Sequence, residues 1–86
     1  MKMIVENNEA EGLESLLGEK VLLMCVCYFY TGKLVGVNSS CVKLEDPAIV
    51  YDTGDWSDEG YSDAQRMSTK YHYVSTDMIE SFGGGK

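Results

Sequence analysis

The feature that most restricts how this 86-residue chain can fold is the apolar run at residues 21–30, VLLMCVCYFY. As a strand it is apolar on both sides of the pleat, with Val21, Leu23 and Cys25 on one and Leu22, Met24 and Val26 on the other. A small sheet with one face in water alternates apolar and polar residues instead. Both faces of this strand therefore need cover, one from the subunit's own core and the other from a helix or a neighbouring subunit. The run is too short to cross a bilayer as a helix, which takes about 20 residues. It also lies too far into the chain for a secretory signal.

The rest of the chain supplies a few short elements. Residues 9–17 (EAEGLESLL) predict a short helix with Leu13, Leu16 and Leu17 on one face and glutamates in its first turn. Gly18 is placed to stop it, and so short a helix must dock on something apolar. Asn38, Ser39 and Ser40 form a turn cluster. Residues 41–51 resume as a strand that bends at Asp46-Pro47, because proline has no N–H for a ladder. Residues 52–65 predict a long acidic loop, 67–74 a strand, 75–77 a tight turn and 78–82 a last short strand. Residues 83–86 (GGGK) predict a flexible tail.

Charge and cysteine usage narrow the function classes. The formal net charge is −7, from 14 acidic and 7 basic residues, and seven acids stand between Lys43 and Arg66 with no base among them. Proteins that live on phosphate contacts carry a basic stripe, and none is visible along the chain. Three cysteines (Cys25, Cys27, Cys41) and no leader segment predict reduced thiols in a cytoplasmic protein.

Residues 30–38 (YTGKLVGVN), running on through 41–46 (CVKLED), resemble the first signature of the Sm-like proteins. Gly32, Leu34, Val37 and Leu44 match it in type, and Asn38 stands where Asp is usual. Residues 71–76 (YHYVST) resemble the second signature, in the Lys-His-Ala-Ile-Ser form of the bacterial Hfq branch. The resemblance covers residues 9–82. It implies a mainly β fold, a short N-terminal helix followed by a five-stranded, strongly bent SH3-like barrel over residues 20–82, all in one domain spanning 1–86. It places Gly32 inside a strand and the first turn at residues 26–28, whereas turn chemistry alone points to Thr31-Gly32.

The family's mode of assembly implies a homo-oligomeric ring of about five to seven copies. In it, the last strand of one subunit pairs with the fourth strand of the next, which makes Tyr73, Val74, Ile79 and Phe82 the candidate interface residues. Single-stranded RNA at the pore is the family's ligand. The candidate contacts here are Asn38, Ser39 and Ser40 from one loop and His72, Ser75 and Thr76 from the other. The second loop carries no Arg, and Tyr71 replaces the Hfq lysine. With a charge of −7 per subunit, RNA binding is expected to be weak and to rest on base contacts. The alternative partner is a basic protein, bound through the acidic aromatic loop.

Other constellations have plainer readings. His72 as a packed barrel residue competes with His72 as a base contact. His72, Ser75 and Asp77 are crowded onto one strand and turn, unlike a triad oriented from a third position. C-x-C plus one distant cysteine is a poor zinc set, so small core side chains are expected, with no metal and no cofactor. Asp52, Asp55 and Asp58 lack calcium-loop spacing. No enzymatic activity is expected.

Overall fold

The computed structural model describes residues 4–6, 8 and 11–86. Six strands form one antiparallel sheet: β1 (Lys20–Cys25), β2 (Phe29–Val37), β3 (Cys41–Asp52), β4 (Asp63–Arg66), β5 (Tyr71–Ser75) and β6 (Ile79–Gly84). The order across the sheet is β4-β3-β2-β1-β6, and β5 pairs with the first half of β3.

The helix expected over 9–17 is a 3₁₀ turn at Leu13–Leu16; Glu9 and Ala10 lie outside the described residues. Gly12, at φ 78°, adopts a left-handed conformation that breaks a helix running through it. Leu13 and Leu16 dock on the core as the apolar stripe requires, while Leu17 is exposed. Gly18, at φ 88°, ends the segment, and its N–H donates to the Leu34 carbonyl at 2.7 Å.

The first turn falls at residues 26–28. Met24 faces Phe29 across the hairpin, and the Cys25 N–H donates to the Tyr28 carbonyl at 3.1 Å. Gly32 is a buried strand residue, because the corner of β3 passes directly over it. A Cβ there would stand 3.0 Å from the Glu45 carbonyl oxygen and 3.3 Å from the Pro47 Cα. That corner is Asp46-Pro47. Asp46 has φ 50°, and the register with β2 slips between Thr31 and Lys33. At the corner β3 changes partner, from β5 along Cys41 to Glu45 to β4 along Ala48 to Asp52. Pro47 is fully buried, and its carbonyl accepts from the Met67 N–H at 2.9 Å.

Strand alternation sets the core. Val21, Leu23 and Cys25 of β1 point inward against Leu34, Val42, Leu44 and Val74. Full burial of each such side chain stabilises by roughly 1.5–3 kcal/mol. The opposite face of β1 carries Leu22, in register with Thr31 and, beyond it, Ala48; all three are buried. Part of the cover on this side comes from the chain itself. The Tyr61 hydroxyl lies 3.4 Å from Thr31 Oγ1, and the Gly85 backbone packs at Val21 and Thr31.

Three expectations are corrected. The sheet does not close into a five-stranded barrel. β5 and β6 are joined only by a three-residue 3₁₀ turn, Thr76–Met78. Its start is tied to the β2–β3 turn (Thr76 N–H to the Ser40 carbonyl, 3.0 Å), and its end accepts from the Val26 N–H at 3.1 Å. The turn thus holds the two strands toward different partners, and each keeps one edge unpaired among the described residues. The acidic loop is shorter than 52–65, because Asp63–Arg66 pairs with β3 beyond its corner and residues 67–70 turn instead of starting β5. The tail 83–86 is not free: Gly83 and Gly84 belong to β6, and Lys86 is anchored.

Candidate nucleic-acid interface

Five of the six candidate RNA contacts come together at one end of the sheet. The Asn38 side-chain Oδ1 accepts from the Ser40 N–H (2.8 Å), the Ser40 hydroxyl (3.0 Å) and the Cys41 N–H (2.8 Å). This side-chain turn is what an Asn before two serines favours, and it consumes the oxygen that would read a base. The Thr76 hydroxyl donates to the Ser39 carbonyl at 3.1 Å, and Ser75 faces Cys41 in the β3–β5 register. Asn38, Ser39 and Thr76 border a shallow cleft of about 300 Å³ whose remaining walls are apolar (Leu13, Ile79 and Phe82 among them).

His72 is not part of that group. It lies opposite Leu44 on the inward side of β5, and its ring stands 5.3 Å from that of Tyr30 at a 32° tilt. It lines a second cleft of about 320 Å³ with Cys25, Tyr28, Tyr30, Ser75 and Met78. The buried Cys25 and Val74 form the floor of that cleft, and the ring contact with Tyr30 favours the packed reading of the imidazole. Among the described residues no hydrogen bond links His72, Ser75 and Asp77. Cys25 is buried, and burial first, then Cys27, pushes its thiol above the ordinary value. Cys27 is exposed in the first turn.

The candidate interface residues divide in the same way. Val74 is buried and Ile79 packs against the core, so both side chains serve their own subunit. Tyr73 is 59% exposed and Phe82 45%, next to Met78 at 52%.

A surface that linear reading misses lies on the outward face of the sheet. Lys20 faces Lys33, Lys33 faces Glu45, and Glu45 faces Tyr71, all in register and hence on one side. Two residues along, Lys43 faces Tyr73. The Lys43 ammonium sits 4.1 Å from the Tyr71 ring centroid and 5.8 Å from that of Tyr73, and the Lys70 ammonium 5.4 Å from Tyr71. Four of the seven basic residues thus share a face with two exposed tyrosines. The only local signals were Lys70 beside Tyr71 and Lys43 out of phase with Val42 and Leu44. Their meeting depends on cross-strand register.

Among the described residues no helix is long and apolar enough to cross a membrane. Comparison with family models, curated proteins and solved structures finds no match for this chain.

Proposed function

We propose that the chain is the subunit of an Sm-like homo-oligomeric ring with a weak affinity for single-stranded RNA. The observation that carries this reading is that β5 and β6, like the short β4, each keep an unpaired edge among the described residues, with Tyr73, Met78 and Phe82 exposed beside those of β5 and β6. Unpaired edges invite pairing with another chain, and closing a ring removes them. Pairing β5 of one copy with β6 of the next matches the assembly mode that the sequence resemblance implies. Light scattering at micromolar concentration tests the ring. A mass of several chains is expected, and a mass of one chain overturns it.

The RNA part rests on the outward lysine–tyrosine face more than on the pore loops. Base–aromatic stacking contributes about 1–3 kcal/mol per base, and Tyr71 and Tyr73 offer ring faces bordered by cations. Asn38 spends its oxygen on its own turn, and His72 packs on Tyr30. The test is anisotropy of short U-rich and A-rich RNAs at two salt concentrations. The four lysines of one subunit limit the log–log salt slope to about −3 for each subunit the RNA contacts, at roughly −0.7 per phosphate. Lys43→Ala with Lys70→Ala is expected to abolish binding, and Asn38→Ala with His72→Ala to spare most of it. The reverse pattern would return RNA to the loops.

A second reading, a ring that recruits a basic protein through loop 53–62, is favoured by Trp56. This side chain is 63% exposed in a loop whose carboxylates have no neighbouring base in sequence.

A further inference from the structure

Loop 53–62 is folded around a cation. The Lys86 ammonium donates to three backbone carbonyls, those of Thr53 (2.6 Å), Asp55 (2.8 Å) and Gly60 (3.1 Å). It also lies 5.6 Å from the Trp56 ring centroid and 5.4 Å from that of Tyr61. An ammonium has three N–H donors and no acceptor. Three converging carbonyls between two aromatic rings therefore satisfy its donors and add attraction from the ring faces. A planar guanidinium, with its donors in a fixed fork, does not match three carbonyls converging on one point.

The cradle is built by the loop's own bonds. The Asp52 carboxylate accepts from the Gly54 N–H (2.9 Å) and the Asp55 carboxylate from the Ser57 N–H (3.1 Å). The Asp58 N–H donates to the Asp55 carbonyl at 3.0 Å. Gly54 takes φ 71°, which lets the chain turn there. Tyr61 fixes the loop to the sheet through Thr31 and accepts from the Lys86 N–H at 3.0 Å. The segment that delivers Lys86 is held along β1, where Gly83 and Gly84 face Leu22 and Val21 and the Gly85 N–H donates to the Lys20 carbonyl at 2.8 Å. A Cβ at Gly83 or Gly84 would meet nothing within 4 Å, so packing does not demand glycine at either position.

We propose that loop 53–62 is a recognition site for a lysine ammonium, that Lys86 fills it in cis, and that a lysine on a flexible segment of a basic protein takes the same place in trans. The exposed carboxylates of the loop supply charge complementarity toward such a segment. This deepens the protein-recruiting reading, and it stands whether or not the chain forms a ring. The paired strand and the Tyr61 hydroxyl hold Lys86 at the cradle, so a partner must displace it or find it withdrawn.

The single tryptophan, Trp56, reports occupancy by its fluorescence. The probes are N-acetylated Gly-Gly-Gly-Lys and the same peptide ending in Arg or in acetyl-lysine. They are titrated into the full chain and into Lys86→Ala, whose fold is checked by circular dichroism. Lys86→Ala is expected to shift the Trp56 emission, and the lysine peptide to restore it. The wild-type chain should bind that peptide at least tenfold more weakly, and the Arg and acetyl-lysine peptides should bind neither. Equal lysine-peptide binding by both chains, no binding to Lys86→Ala, or equal binding of acetyl-lysine would each overturn the proposal. Retained oligomeric mass in Lys86→Ala separates its outcome from that of the ring.

Discussion

Replacing Gly32 by alanine tests whether the bend of β3 is packed onto β2 as closely as described. The new methyl would meet the Glu45 carbonyl oxygen at 3.0 Å, the Leu44 Cβ at 3.3 Å and the Pro47 Cα at 3.3 Å. Two of these atoms are backbone, at the corner where β3 changes partners, and Leu44 and Pro47 are fully buried. Relief by movement of a flexible side chain is therefore closed off. Overpacking a filled core costs about 1–3 kcal/mol, which for a domain of this size lowers Tm by roughly 4–8 °C per kcal/mol. Against that stands a gain of about 0.4–1 kcal/mol from stiffening the unfolded chain, where the native conformation tolerates alanine. The net expectation is a clear fall in Tm by thermal denaturation. Gly60→Ala and Gly83→Ala, where a Cβ meets nothing within 4 Å, are the controls and should change little. A Gly32→Ala chain as stable as these controls would refute the close approach.

Asn38→Ala removes the oxygen that accepts three hydrogen bonds and should cost about 1 kcal/mol, while Asn38→Asp retains the turn; equal melting of both variants would count against that turn. Phe82→Glu should leave the circular dichroism spectrum intact and reduce the light-scattering mass, whereas Val74→Asp places an unpaired charge in the core and should unfold the subunit at a cost of several kcal/mol. Burial raises the Cys25 thiol above 9.0, and burial first, then the neighbouring Cys25, Tyr28 and Cys27, raises the Tyr30 phenol above 10.0. Both groups favour their neutral forms in the fold, so their contribution is complete below about pH 8.5 and is lost as pH rises through the folded values. The urea midpoint should fall in the alkaline range for the wild type and fall less for Cys25→Ala with Tyr30→Phe; identical pH profiles would exclude that origin.

Much of the architecture was legible because it is written in alternation. Strand period puts Val21, Leu23 and Cys25 on one side of the pleat, and proline's missing donor gives the bend at Asp46-Pro47, whereas Val74, read as an interface residue, is in the core. The first turn, at 26–28, carries no turn residue of its own. Its place came from the resemblance that put Gly32 inside a strand, and the structure supplies the cause, the backbone of β3 lying against that glycine. The helix failed at Gly12, whose left-handed backbone outweighed the leucine stripe.

What only the tertiary structure decided are the meetings between residues far apart in sequence. Asp63–Arg66 looked like loop because its polar, exposed residues have no inward face; β3 makes it a strand by offering an edge beyond the corner. Lys43 and Tyr73 are neighbours only through the β3–β5 register, so a chain with no basic stripe in its sequence has a lysine–tyrosine face in space. Lys86 reads as the end of a glycine tail until the loop's carbonyls converge on it across 26 to 33 residues of chain. Local sequence sets which way each side chain points. Which distant groups it then meets depends on strand order and register, and those are settled by the packing of the whole sheet.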